Sequence, residues 1–146
     1  PLDAVNALIS FLYSLLLNDC RSALETVGLD PQLGFFHVVR PGRPALAPDV
    51  LEEFRALLGD RLALTLINRG QVRRKDFDER PGGAVMLNDS GRKTVVVAYQ
   101  ERKKETLQHP VLETPVEIGL LPLLQARMLA RYLHGDMAAY VPFLGK

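Results

Sequence analysis

Apolar side chains recur at helical spacing through most of the chain, broken by a few clusters of proline and glycine. From about Asp3 to Val27 helix breakers are scarce; Asp3 is a suitable N-cap and Gly28 a suitable stop, so one long, mostly buried helix is expected. Its polar residues Asn6, Ser10, Ser14, Asn18 and Ser22 recur every fourth position and form a slowly drifting stripe. Such a stripe fits either a close helix-helix seam or one wall of a polar cleft. Residues 28–47 read as loop, with turn chemistry at Asp30-Pro31, Gly34, Pro41-Gly42 and Pro44. A second helix is expected from near Pro48 to Asn68, with acidic residues in its first turn and a break near Gly59-Asp60. Arg80-Pro81-Gly82-Gly83 between short extended stretches predicts a small hairpin within residues 70–87. Asn88 or Asp89 should cap a third helix reaching about Glu105, and a last helix should run from about Leu120, with Pro122 in its first turn, to His134. The pattern therefore predicts an all-α, helical bundle-like fold with at most one small β-hairpin, residues 1–146 forming a single domain.

Composition sharpens this only in places. With 47% hydrophobic and 24% charged residues, the chain has the balance of an ordinary globular protein with its own core. The formal net charge of +1 says little by itself, but Arg69, Arg73, Arg74 and Lys75 cluster, as do Arg102, Lys103 and Lys104. These are either solvated helix ends or patches for a polyanion. The single cysteine, Cys20, excludes an intrachain disulfide and reads as a small buried hydrophobe. Residues 4–17 are apolar, but Asn6, Ser10 and Ser14 interrupt them and Asp19 follows too soon for a span of about 20 residues, so no membrane segment is expected. The chain begins at Pro1 without methionine and is expected to be a piece of a longer protein.

Candidate chemistry concentrates between His37 and Glu53. At about 100° per residue, Val50, Leu51, Phe54, Leu57 and Leu58 share one face of the second helix while Asp49, Glu52 and Glu53 crowd another. Like charges three and four apart repel by a few tenths of a kcal/mol, which a cation would relieve. Carboxylates are also common in first helical turns for dipole reasons alone, and a lone histidine is usually structural. His37 on the preceding Pro/Gly loop can fold back onto this helix start, and imidazole with carboxylate oxygens suits Mg²⁺ or Mn²⁺ better than structural zinc. Arg40 and Arg43 beside such a shell would match a phosphate. His109 and His134 have no comparable constellation and read as structural or surface residues.

Several strings together resemble the CRISPR-associated adaptation endonuclease/integrase family: Asn6-Ala7-Leu8-Ile9-Ser10-Phe11-Leu12-Tyr13, Gly34-Phe35-Phe36-His37, Arg40-Pro41-Gly42-Arg43-Pro44, Asp49-Val50-Leu51-Glu52-Glu53-Phe54-Arg55 and Ile67-Asn68-Arg69. Gln125-Ala126-Arg127 and Tyr140-Val141-Pro142-Phe143-Leu144 continue the match in order. The resemblance implies the C-terminal, mainly helical catalytic domain, normally preceded by a β-rich domain absent from this chain. It implies a metal site of a glutamate, a histidine and a second acid, in which His37 matches the histidine and Glu52 the acid, with Asp49 auxiliary. The family's first glutamate lies upstream of the Asn6 run, before Pro1. The implied function is metal-dependent insertion of new spacers into a CRISPR array by transesterification, in a prokaryotic cytoplasm. The implied partners are DNA, a second copy of the chain and a small ferredoxin-like adaptation protein. Expected DNA contacts are Arg40, Arg43, Asn6, Ser10, Arg69 and Arg73. A non-catalytic DNA-binding and dimerisation module is the alternative for the chain alone.

Overall fold

A computed structural model describes residues 3–29, 52, 54–109 and 112–133. Helix α1 spans Ala4–Thr26 and is capped by Asp3, whose carboxylate accepts from the Asn6 backbone N–H and from Asn6 Nδ2, both at 2.8 Å. Gly28, at φ +82°, ends it in the left-handed region, and the Leu29 N–H returns to the Leu24 carbonyl at 2.9 Å. Leu8, Leu12, Leu16, Cys20 and Leu24 lie along its inner side, each fully buried. Asn6, Ser10, Ser14, Asn18 and Ser22 have the same period of four but are offset by two residues, about 200° around the helix. They are all exposed, so the seam is not formed among the described residues and the stripe faces outward.

The break expected near Gly59-Asp60 is a π-helical turn, Arg55–Asp60, which leads directly into α2, Arg61–Asn68. Phe54, Leu58, Leu62 and Leu66 project from this run into the α1 core. A 3₁₀ turn, Arg74–Asp76, then enters the expected hairpin, where β1 (Phe77–Glu79) pairs antiparallel with β2 (Val85–Leu87), Phe77 opposite Leu87 and Glu79 opposite Val85. Gly82 and Gly83, at φ +91° and +89°, carry the turn. Helix α3 spans Asp89–Lys103, and Asn88 caps it by accepting from the Gly91 N–H at 2.9 Å. The last described helix, α4, spans Leu121–Leu133 and packs Leu121, Ala126 and Leu129 into the core beside α1.

The mainly helical character is as expected, but the limit of one hairpin is not met. A second antiparallel pair joins β3 (Thr106–Gln108) to β4 (Pro115–Glu117), with Leu107 opposite Val116. Unlike the first hairpin, with its Pro81-Gly82-Gly83 turn, residues 109–114 contain no glycine, and the turn is held by a distant group. Buried His109 accepts from the Leu112 N–H at Nδ1 (3.1 Å), which leaves Nε2 to donate to Gln125 Oε1 on α4 at 2.9 Å. His109 is thus structural, as read from the sequence.

Two polar joints tie the helices together. Asp76, almost fully buried, accepts from the Arg73 N–H at 2.8 Å, while its own carbonyl accepts from the Asn88 N–H at 2.9 Å. Gly91 sits against this joint so closely that an added Cβ would lie 2.4 Å from the Asp76 carbonyl oxygen. At the other end of α3, Tyr99 donates to Asp19 Oδ2 at 2.6 Å, and Lys103 Nζ donates to the same oxygen at 3.0 Å. Burial, and then the hydrogen bond to Asp19, push the Tyr99 phenol far above the ordinary tyrosine value.

Gly91→Ala should lower unfolding stability by about 1–3 kcal/mol, because backbone rather than a flexible side chain must yield; urea denaturation reads this as a lower midpoint. Unfolded tyrosine ionises near pH 10 whereas folded Tyr99 keeps its proton, so the folded state binds more protons above that pH. Stability should therefore be intact below about pH 10 and fall as pH rises further, with a smaller fall in Tyr99→Phe, as read from urea midpoints across pH 8–11.

Candidate functional site

Glu52 stands in a helical segment just before the π turn, with its side chain 63% exposed. One turn later Arg55 reaches back, its terminal nitrogen 3.0 Å from Glu52 Oε1 and 3.4 Å from Oε2. The same guanidinium donates through Nε to the Tyr13 hydroxyl on α1 at 2.9 Å and lies 4.7 Å from the centre of the Tyr13 ring. Tyr13 in turn donates to Asp60 Oδ1 at 2.5 Å. Asp60, Tyr13, Arg55 and Glu52 thus form one continuous chain that starts and ends on carboxylates and crosses between two elements.

The electrostatics follow from this arrangement. Burial, and then the hydrogen bond to Asp60, hold the Tyr13 phenol above its ordinary value, with Arg55 pulling the other way. Arg55 is driven still further towards its charged form, first by its bond to Tyr13 and then by Glu52. A fixed cation therefore faces an exposed carboxylate whose oxygens are hard donors of the type preferred by Mg²⁺ or Mn²⁺. His37 and Asp49, the other expected ligands, and Arg40 and Arg43 lie outside the described residues. Among the described residues no group of three or more His, Cys, Asp or Glu side chains converges closely enough to hold a metal ion.

The remaining expected DNA contacts are spread over the surface. Arg69 lines an open groove of about 510 Å³ between α2 and α3, together with Lys93 and Arg102. Arg73 lines a different groove, of about 540 Å³, beside Val5, Ile67 and Phe77, and its Nε donates to the Gly70 carbonyl at 2.9 Å. Ser10 borders a shallow depression of about 220 Å³ with Met86 and Arg92, while the Asn6 amide nitrogen is engaged in the α1 cap. Arg69 and Arg73 therefore do not share one groove.

Tyr13, Arg55 and Asp60 were not singled out as a unit by the sequence. Arg55 is three residues after Glu52, a spacing that suggests an ion pair, but its partner Tyr13 is 42 residues away. A helical wheel at a constant 100° per residue also separates Arg55 from Asp60, and only the π turn brings both to one hydroxyl.

Comparison with known proteins extends the picture beyond this chain. Residues 1–101 match the family described as CRISPR associated protein Cas1. A relative from Moorella thermoacetica, CRISPR-associated endonuclease Cas1 1, is 62% identical over 144 residues, covering 99% of this chain and 42% of the relative. The chain thus spans less than half the length of that protein. Among solved structures, a Cas1 protein from Thermotoga maritima superposes with a TM-score of 0.81 at 35% identity, covering 92% of this chain and 41% of that one. A casposase bound to its integration product superposes with a TM-score of 0.84 at 26% identity, covering 99% of this chain and 42% of that one. A family match across more than two thirds of the sequence, agreeing with the helical architecture, establishes that the chain belongs to the CRISPR-associated Cas1 family.

Proposed function

We propose that this chain is the helical catalytic portion of a metal-dependent DNA endonuclease and integrase that inserts new spacers into a CRISPR array. The observation that carries the reading is the family match over residues 1–101, which takes in His37, Asp49 and Glu52 together. The outward carboxylate of Glu52, held by Arg55, supports it from the geometry. Glu52, His37 and Asp49 would hold Mg²⁺ or Mn²⁺, an oxygen-and-imidazole donor set suited to either ion. When bound, the ion supplies charge neutralisation at the phosphate and at the oxygens entering and leaving it.

The reaction is a transesterification. The 3′-hydroxyl of the incoming DNA loses its proton as its oxygen bonds to a repeat phosphorus; the existing bond from that phosphorus to a 3′-oxygen breaks, and the freed oxygen takes up a proton. Arg40 and Arg43 would steady the phosphate that changes partners, since guanidinium forks match its geometry. Asn6 and Ser10 on the outward stripe of α1, with Arg69 and Arg73 in their separate grooves, would follow backbone phosphates and read few bases. The working assembly is a homodimer with DNA and a small ferredoxin-like partner, in a prokaryotic cytoplasm.

In the full-length protein with its partner, on a plasmid carrying the repeat, His37→Ala or Glu52→Gln should abolish strand transfer while circular dichroism and thermal midpoint stay near wild type. Unchanged integration by both variants would overturn the assignment. Arg43→Ala should weaken DNA binding and lower the slope of log affinity against log salt by about one, measured by anisotropy across salt concentrations.

A further inference from the structure

We infer that Arg55, locked in place by Tyr13, is the positioning residue for the Glu52 carboxylate; the inference rests on the metal-ligand role proposed for Glu52. An exposed ion pair three residues apart on a helix orients little, since both long side chains remain mobile and the pair contributes about 0–1 kcal/mol. Lys104 and Glu101, 3.2 Å apart at the exposed end of α3, are a pair of that sort. Arg55 differs because it is fixed from a second element. Its Nε is taken by the Tyr13 hydroxyl at 2.9 Å, its charge rests 4.7 Å from the centre of the Tyr13 ring, and a terminal nitrogen is left for Glu52 at 3.0 Å.

The lock itself has a direction. Asp60 accepts the Tyr13 hydroxyl proton at 2.5 Å, which turns an oxygen lone pair towards Arg55 Nε. In an ordinary α-helix, residues five apart are separated by about 140° and would not converge on one hydroxyl. The π turn of Arg55–Asp60 brings both to Tyr13, and such turns recur at functional positions in helices. Gly59 completes the fit: an added Cβ there would lie 2.5 Å from Tyr13 Cε1, inside the space the ring occupies. While Leu57 and Leu58 of the turn pack into the core, Gly59 and Asp60 thus seat the tyrosine that holds Arg55, and that arginine faces the carboxylate assigned to the metal.

The test is Mn²⁺ affinity of the full-length protein, measured by electron paramagnetic resonance titration beside the thermal midpoint. Tyr13→Phe keeps the ring and Arg55→Lys keeps the charge, so neither changes net charge at the site. Each should weaken Mn²⁺ binding by about tenfold, the scale seen when hydrogen-bonding partners of metal ligands are removed. The double variant should be no weaker than the weaker single, because both act through one chain of contacts. Tyr99→Phe, which removes a buried hydroxyl elsewhere, should lower the thermal midpoint and leave Mn²⁺ affinity at the wild-type value. Wild-type affinity in Tyr13→Phe and Arg55→Lys, alongside a large loss in Glu52→Gln, would overturn the positioning role alone. Equal weakening in Tyr99→Phe would overturn it too, by reducing the effect to general stability. Unchanged affinity in Glu52→Gln would overturn the metal assignment beneath both.

Discussion

The buried ladder of α1 is the constraint on which the rest of the structure depends. Leu8, Leu12, Leu16, Cys20 and Leu24 repeat every four residues and are fully excluded from water, so α1 can take only one rotational setting against its neighbours. Phe54, Leu58, Leu62 and Leu66 approach the ladder from the π turn and α2, while Leu121, Ala126 and Leu129 meet it from α4. Burying a leucine side chain contributes about 1.5–3 kcal/mol, so a one-step rotation of α1 would expose several such groups at once. That fixed rotation also decides which way Tyr13 points, and hence where Arg55 and Glu52 can be held.

Polar contacts then set the details that apolar packing leaves loose. The Tyr99, Asp19 and Lys103 contact pins α3 to the middle of α1, and Asp76 ties the first hairpin to the start of α3. His109 and Gln125 do the same for the second hairpin and α4. These are groups in which the polar atoms find partners inside the fold, as buried polar atoms must if they are not to cost stability. Their positions, distributed around the ladder, give the helices a register as well as a common core.

Elements governed by local chemistry were legible in the sequence. Asp3 and Asn88 cap their helices, Gly28 stops the first, and Gly82-Gly83 turns the first hairpin, because each effect acts over a few residues. The π turn was visible only as a break at Gly59-Asp60, since its geometry answers to a tyrosine on another helix. The second hairpin was missed because residues 109–114 hold no glycine to announce a turn, and its fastening through Gln125 is tertiary. At the candidate site the acidic face offered Asp49, Glu52 and Glu53 alike and only the family resemblance singled out Glu52, whereas the Tyr13 and Asp60 contacts depend on the tertiary fold. His37, Asp49, Arg40 and Arg43 lie outside the described residues, and the reasons for naming them remain those of pattern and resemblance.

The outward stripe of α1 has a consequence that follows from its separation from the ladder. Asn6, Ser10, Ser14, Asn18 and Ser22 are on the exposed side, where substitutions usually change stability by less than about 0.5 kcal/mol. Packing of the core therefore places little demand on that face. Its residues are free to be set by what they touch outside the helix, so one helix divides the work of folding and of contact between its two sides.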